Sequence, residues 1–446
     1  MSEELLELVT RVAGWARDGE QVEAYAVRGT DLEVKVSGGE VEHLASATSE
    51  GVGIRVVTGG RVGVAWAGSM DEEIVADALA DARDNAGFAT ADEHAGLASP
   101  DGQEACAVDL WRDDLATTPT AEKVALATDI ERRIMADPRI RAMRDVTYSD
   151  ERAERAVATS TGIRAATRRT AAAVVGQAVA GEGDGTTTGA GMTFGRGWSD
   201  LDADRVVDDA ILRSTRMLGA TKPASATLTI VLDPAAAASV FALVAGLCNG
   251  ESALKGRTLF AARMGEQVAS PLLTLIEDPT NAAAFNAAPF DAEGLACRPT
   301  TLIEAGVLSS FLYDTRWGRA AGAPSTASAQ RSFKMAPTIG ARAVGPTPGT
   351  LSHEQVLAAV GDGLYVQTLA GLHSGVDPVS GDFSVGCTGL MIRNGVLAEP
   401  VKECVIASTL PKMLQGIVHV GGDLEWGSGA AARVTLAIAD VSLAGS

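Results

Sequence analysis

The 446-residue chain has five histidines, His43, His94, His353, His373 and His419. No two stand four or five residues apart, the spacing that sets a ligand pair on one helix face, and no H-E-x-x-H occurs. The ordinary helical zinc motif is therefore excluded, and a mononuclear site would have to be assembled from distant residues. His353 lies inside a capping box and reads as solvated, while His43 and His94 sit in polar surroundings and read as surface residues. Cysteine is equally sparse. Cys106, Cys248, Cys297, Cys387 and Cys404 are scattered, odd in number and without a C-x-x-C pair. A disulfide framework is not expected, and most of them read as reduced small hydrophobes.

Positive charge is also in short supply. Lys and Arg number 37 against 57 Asp and Glu, a formal net charge of −20, which opposes a nucleic-acid partner because phosphate binding needs a cationic surface. No apolar run approaches the roughly 20 residues that span a bilayer. The leading MSEELLELVTRVAGWARDGE is acidic and helical in pattern rather than basic and then apolar. No membrane association and a cytoplasmic location are expected. There is no G-x-S-x-G elbow and no P-loop; the glycines at 181–195 neither follow a strand nor open a helix, and read as a flexible hairpin. What the chain does have is 46% hydrophobic against 21% charged residues, enough core for two or three domains.

The apolar pattern sets a first helix over about 3–17, with Leu5, Leu6, Val9, Val12 and Ala16 on one stripe. Short strand-like runs follow, punctuated by Gly38-Gly39 and Gly59-Gly60, which read as hairpin turns. Ser69-Met-Asp-Glu72 reads as a capping box for a helix closing near Gly87. A polar stretch over 88–118 leads to a helix begun at Thr118-Pro119, and then to β-rich sequence. After Lys222-Pro223, SATLTIVLDP is a strand running into a helix capped by Asp233 with Pro234 at its first position. Beyond 270 the pattern is short strands and turns, with helices near 352–361 and 408–415. The expected class is α+β: an N-terminal α/β region with a mixed sheet and helices, and a mainly antiparallel C-terminal domain with a few helices. The expected domains are 1–117, 118–222 and 223–446.

One stretch looks like the wall of a chemical site. HSGVDPVSGDFSVGCTGLMIRNG, residues 373–395, gathers His373, Asp377 and Cys387 among glycines. Cys387 could be a reactive thiol, but no pattern places a base beside it, and a buried inert cysteine is the favoured reading.

Long stretches resemble the TldD/PmbA (TldE) family of metallopeptidase-related proteins: FDAEGLACRPTTLIEAGVLSSFLYDTRWGRAAG (290–322), GLHSGVDPVSGDFSVGCTGLMIRNGVLAEPVKECVIASTL (371–410) and LQGIVHVGGDLEW (414–426), with GVGIRVVTGGRVGVAW and YSDERAERAVATSTG nearer the start. The resemblance covers most of the chain, in the family's order. It implies one of two kinds of subunit: TldD-like members carry an H-E-x-x-x-H helix and a distant cysteine that bind zinc, and TldE (PmbA)-like members lack the histidines and pair with TldD. Here the equivalent helix is FALVAGLCNGESALKGRTLF. Phe241 and Gly246 stand where the ligand histidines would be, Ala242 where the catalytic glutamate would be, and Cys387 where the ligand cysteine stands. None of Phe, Ala or Gly offers a side-chain lone pair.

The resemblance thus implies a zinc-free TldE/PmbA-like subunit, with zinc expected only in a TldD-like partner, and a role in processing small or unfolded peptides, including precursors of peptide antibiotics. Two rivals stay open. One is a homodimeric, metal-independent hydrolase or amide transferase using Cys387 and His373; the other is a non-catalytic binding or scaffold protein. Candidate substrate contacts are Asn249, Glu251 and Lys255, just past the equivalent helix, with His373 and Asp377. The bland reading of each is a helix cap for Asn249, solvated charges for Glu251 and Lys255, and a turn initiator for Asp377 before Pro378.

Overall fold

The computed structural model describes residues 2–445. Helix α1 (Ser2–Ala13) buries Leu5, Val9 and Val12. It stops four residues earlier than the apolar stripe suggests, at Gly14, a residue that ends helices readily. Strands β1 (Glu20–Ser37), β2 (Glu40–Thr58) and β3 (Arg61–Ala67) form a meander. Its first turn is Gly38-Gly39, with φ of +65° and +81°, the backbone of a two-residue hairpin turn that glycine adopts without steric cost.

Helix α2 (Glu72–Phe88) follows, and its cap is not Ser69. Asp71 accepts the amides of Glu73 and Ile74, and Ser69 instead accepts the amide of Asp71. Helices α3 (Asp113–Thr117) and α4 (Thr120–Met135) lead into β4 (Ile140–Thr159), β5 (Arg164–Ala180) and β6 (Thr187–Gly195), and then α5 (Ala203–Thr215). The six strands make one sheet in the order β3-β2-β1-β4-β5-β6. The α+β class holds, but this sheet is antiparallel at every pairing rather than mixed.

The glycines expected to form a flexible hairpin do join two paired strands: Gly181, Gly183 and Gly185 lie in the connection from β5 to β6, whereas Gly189, Gly191 and Gly195 belong to β6 itself. A side-chain carbon on Gly189 would lie 2.2 Å from the Ser214 amide nitrogen, and one on Gly191 1.9 Å from the Val206 carbonyl. Bare backbone at these positions lets α5 lie directly on β6. Glu131 of α4 is buried beneath the first hairpin and accepts the amides of Gly38 and Gly39 at 2.7 and 2.8 Å.

The C-terminal half begins with β7 (Ala226–Leu232) and α6 (Pro234–Leu247), capped by Asp233 as expected, then α7 (Gly250–Leu254). Short strands follow: β8 (Leu275–Glu277), β9 (Thr300–Glu304), β10 (Val307–Leu308), β11 (Ala329–Gln330), β12 (Thr338–Ile339) and β13 (Val344–Pro346), with α8 (Thr315–Ala321) among them. Then come α9 (His353–Val360), β14 (Gly363–Ala370), β15 (Asp382–Arg393), β16 (Val396–Thr409), α10 (Leu410–Gln415), β17 (Ile417–Val420), β18 (Glu425–Trp426), β19 (Ala432–Arg433) and β20 (Leu436–Ala444). The second six-stranded sheet runs β16-β15-β14-β7-β20-β17, antiparallel except for β7 beside β14. Helix α6 lies on it, burying Val240, Phe241, Val244 and Leu247 with Ile230, Leu232 and Val366.

The two halves meet across a buried ionic cluster. Arg55 donates to Glu23 of β1 at 3.1 and 2.7 Å and to Glu293 at 2.9 Å; Arg331 also pairs with Glu23. Among the described residues no helix is long and apolar enough to cross a membrane.

Candidate functional site

Helix α6 divides its residues by face. Phe241 is fully buried in the core, whereas Ser239, Ala242 and Gly246 are exposed on the opposite side. At the position compared with a ligand histidine, Phe241 therefore contributes packing and cannot line a cleft. Ala242 and Gly246 do face out, but offer only a methyl group and bare backbone.

The start of α6 is held firmly. The Asp233 carboxylate accepts both Nη groups of Arg213 at 2.9 Å, the Tyr365 hydroxyl at 2.6 Å and the Ala235 amide at 3.0 Å. Burial works against its ionisation, but the hydrogen bonds and charge of Arg213 outweigh that and keep it below the ordinary carboxylate range. The exposed side of the helix, at Ala235 and Ser239, opens onto a cavity of about 380 Å³ whose other walls come mainly from β5, β6 and β14, including Gln367 and Thr368. Thr368 is exposed there, whereas the Gln367 amide is buried and already held by Arg216 and by the Arg213 carbonyl. None of these residues supplies a general base.

Cys387 lies in β15, 4% exposed, with Cys404 of β16 directly across from it and the two sulfurs 3.5 Å apart. Both thiols are free, and Cys404 also reaches the Cys387 carbonyl at 3.3 Å. The hydrogen bond to Cys404, together with burial, pushes the Cys387 thiol far above its usual range, and the same bond holds Cys404 below it. Cys387 is thus a poor nucleophile in the folded chain.

Cys404 was not visible as a neighbour in the sequence. Counting back from the Asn394-Gly395 turn puts Lys402 opposite Cys387. Two irregularities in the β15–β16 ladder shift the register by two residues and bring Cys404 there instead.

The remaining candidates fall in two separate places. Asn249 caps α7, accepting the Ser252 amide at 3.0 Å and donating to the Ile339 carbonyl. Glu251 and Lys255 pair with each other at 2.6 Å on the same short helix, and the Lys255 ammonium sits 4.7 Å from the Trp317 ring centre. Asp377 accepts the Val379 and Ser380 amides, the local turn that Pro378 favours, and those bonds hold its carboxyl below the ordinary range. His373 is exposed on that loop. The loop meets the stretch after α7 through the Leu259 amide and Pro378 carbonyl, yet no hydrogen bond or ion pair joins the candidate side chains of the two groups. His353 is half-buried rather than solvated, bonded to Thr435 at 2.8 Å and edge-on to Tyr365. Among the described residues no three His, Cys, Asp or Glu side chains converge in a way that could hold a metal ion.

Family models match nearly the whole chain in order: PmbA/TldA metallopeptidase domain 1 over residues 22–86, the central domain over 113–218 and the C-terminal domain over 225–445. The chain belongs to the PmbA/TldD family. Among PmbA/TldD relatives, metalloprotease PmbA of Escherichia coli O157:H7 is 27% identical over 425 residues, 95% of this chain and 92% of that one. A metalloprotease of Methanothermobacter thermautotrophicus is 26% identical over 317 residues, covering 70% of this chain and 69% of its own. The crystal structure of TldE from Thermococcus kodakarensis superposes over 100% of both chains with a TM-score of 0.89 at 22% identity, which establishes the shared PmbA/TldD fold.

Proposed function

We propose that this chain is a zinc-free, TldE/PmbA-like subunit that pairs with a TldD-like metallopeptidase in the processing of small or unfolded peptides, including precursors of peptide antibiotics. The observation that carries the reading is the solvent face of α6, where Ala242 and Gly246 stand in place of a base and a ligand. In the pair, the partner supplies zinc and the glutamate that activates water. This chain contributes positioning surface, including the cavity beside α6, and the stability of the complex. The burial of Cys387 against Cys404 supports the same reading over a thiol-dependent hydrolase, because both sulfurs are enclosed and neither has access to a substrate.

The test is co-expression with a TldD-like protein, followed by metal analysis and peptide cleavage of each chain and of the pair. Cleavage and stoichiometric zinc are expected in the pair and not in this chain alone. Chelator-sensitive cleavage by this chain alone overturns the assignment.

A further inference from the structure

The register of β4 and β5 sets Arg155 opposite Thr167 and Ala153 opposite Arg169, so two arginines share one sheet face with a small residue beside each. That face meets residues 287–292 and Arg342 of the C-terminal half. The small residues leave a cavity walled by Ala153, Phe290 and the three arginines, with about 50 Å³ open to the centres of water-sized molecules. That is room for a few waters or for one carboxylate group bearing a small substituent.

Among the described residues no carboxylate is hydrogen-bonded or ion-paired to the guanidinium groups of this wall. Arg155 has no hydrogen-bond or ion-pair partner among the described residues, and the Nε atoms of Arg169 and Arg342 are buried without partners. Arg342 donates through Nη2 to the Ala329 carbonyl, and Arg169 lies over the Phe285 ring. Three carboxylates act on this wall without bonding to its guanidinium groups: Glu151, which attracts Arg169, and Asp291 and Glu277, whose oxygens are occupied by backbone amides. Asp291 accepts from Glu293, Leu295 and Ala329, and Glu277 from Arg342 and Ala343. Burial raises each to about 7, so near neutral pH they carry only part of a charge. Burial, followed by the charges of Arg155, Arg196 and Arg342, pushes Arg169 down to about 10 against the pull of Glu151. A guanidinium with a free N–H donor can take an oxyanion, which it binds bidentately.

We propose that this cavity is an oxyanion subsite taking the C-terminal carboxylate of a short peptide, gripped by Arg155, Arg169 and Arg342, with a small last side chain against Ala153 and Phe290. Its peptide ligand rests on the function proposed above. The oxyanion chemistry is shared with inorganic phosphate, so both are used as probes.

The isolated chain is titrated calorimetrically with N-acetyl-Ala-Ala, with its C-terminal amide and with inorganic phosphate. The free acid should bind one to one, the amide at least about tenfold more weakly, and phosphate should compete with the acid. Arg169→Met should weaken the acid by about tenfold or more. Arg155→Met should do the same, and since the Arg155 side chain makes no hydrogen bond or ion pair within the fold, that variant stays folded, as circular dichroism checks. Equal binding of acid and amide, acid affinity unchanged in both variants, or phosphate binding with no peptide binding overturns the proposal. No cleavage or partner enters this measurement, so its failure is separable from failure of the proposed pairing.

Discussion

Replacing Arg55 by Met tests the junction between the two halves most directly. Glu23 and Glu293 have side chains 0% and 1% exposed, and Arg55 binds both. Without it, Glu23 keeps Arg331 as its charged partner, and Glu293 keeps the Thr315 amide at 2.9 Å. Removing one member of a buried ionic cluster strands charge in a low-dielectric interior and costs about 3–5 kcal/mol. Arg55→Lys, which keeps the charge but loses the fork that reaches both carboxylates, should cost less.

The acidity dependence has a definite sign. Burial disfavours ionised Glu23, but Arg55 and Arg331 outweigh it and lower its pKa from the ordinary 4.5. The stabilisation is therefore fully present above pH 4.5 and is lost as pH falls through the folded value. The gap between wild type and Arg55→Met should narrow in that acid range. Urea unfolding at several pH values measures the gap, and amide exchange at residues 291–295 and 327–331 shows whether the junction opens first. A variant within about 1 kcal/mol of wild type at neutral pH, with unchanged exchange there, refutes the argument that the cluster joins the halves.

Other outcomes follow from the same reasoning. Glu277 has its folded pKa raised to about 7 from 4.5, so the folded state resists its ionisation. Glu277→Gln should gain stability relative to wild type as pH rises from about 4.5 to 7, then level off; a pH-independent difference in melting temperature contradicts this. Gly191→Ala should destabilise by roughly 3 kcal/mol or more, because its new methyl meets the Val206 carbonyl at 1.9 Å, and thermal melting would detect it. Among the cysteines, half-buried Cys106 should react with a thiol reagent in the native protein while Cys387 reacts only on unfolding; mass-spectrometric mapping of rapid native labelling at Cys387 would contradict its enclosure.

Local signals in the sequence located much of the chain. Gly38-Gly39 made a hairpin turn because both positions need positive φ, and Ser352 with Gln355 formed the expected capping box. Asp233-Pro234 started α6 for a similarly local reason: a side chain that caps and a ring that fits the first turn. Where a choice depended on neighbours distant in sequence, the local signal failed. Ser69 and Asp71 both can cap, and geometry chose Asp71. The glycines at 189 and 191 read as flexible because their reason for being small is α5 lying across them.

The candidate site divides along the same line. That residues 241, 242 and 246 carry no ligand or base was fixed by residue identity alone, since side-chain lone pairs are a property of the amino acid. Which of them faces solvent, that Phe241 is core, and that Cys404 touches Cys387 were decided by the packing of α6 and by two ladder irregularities. The arginine-walled cavity belongs wholly to tertiary structure. Arg155, Arg169 and Arg342 are charged residues with nothing local to distinguish them, and only the docking of two halves brings their guanidinium groups together with no carboxylate bonded to them.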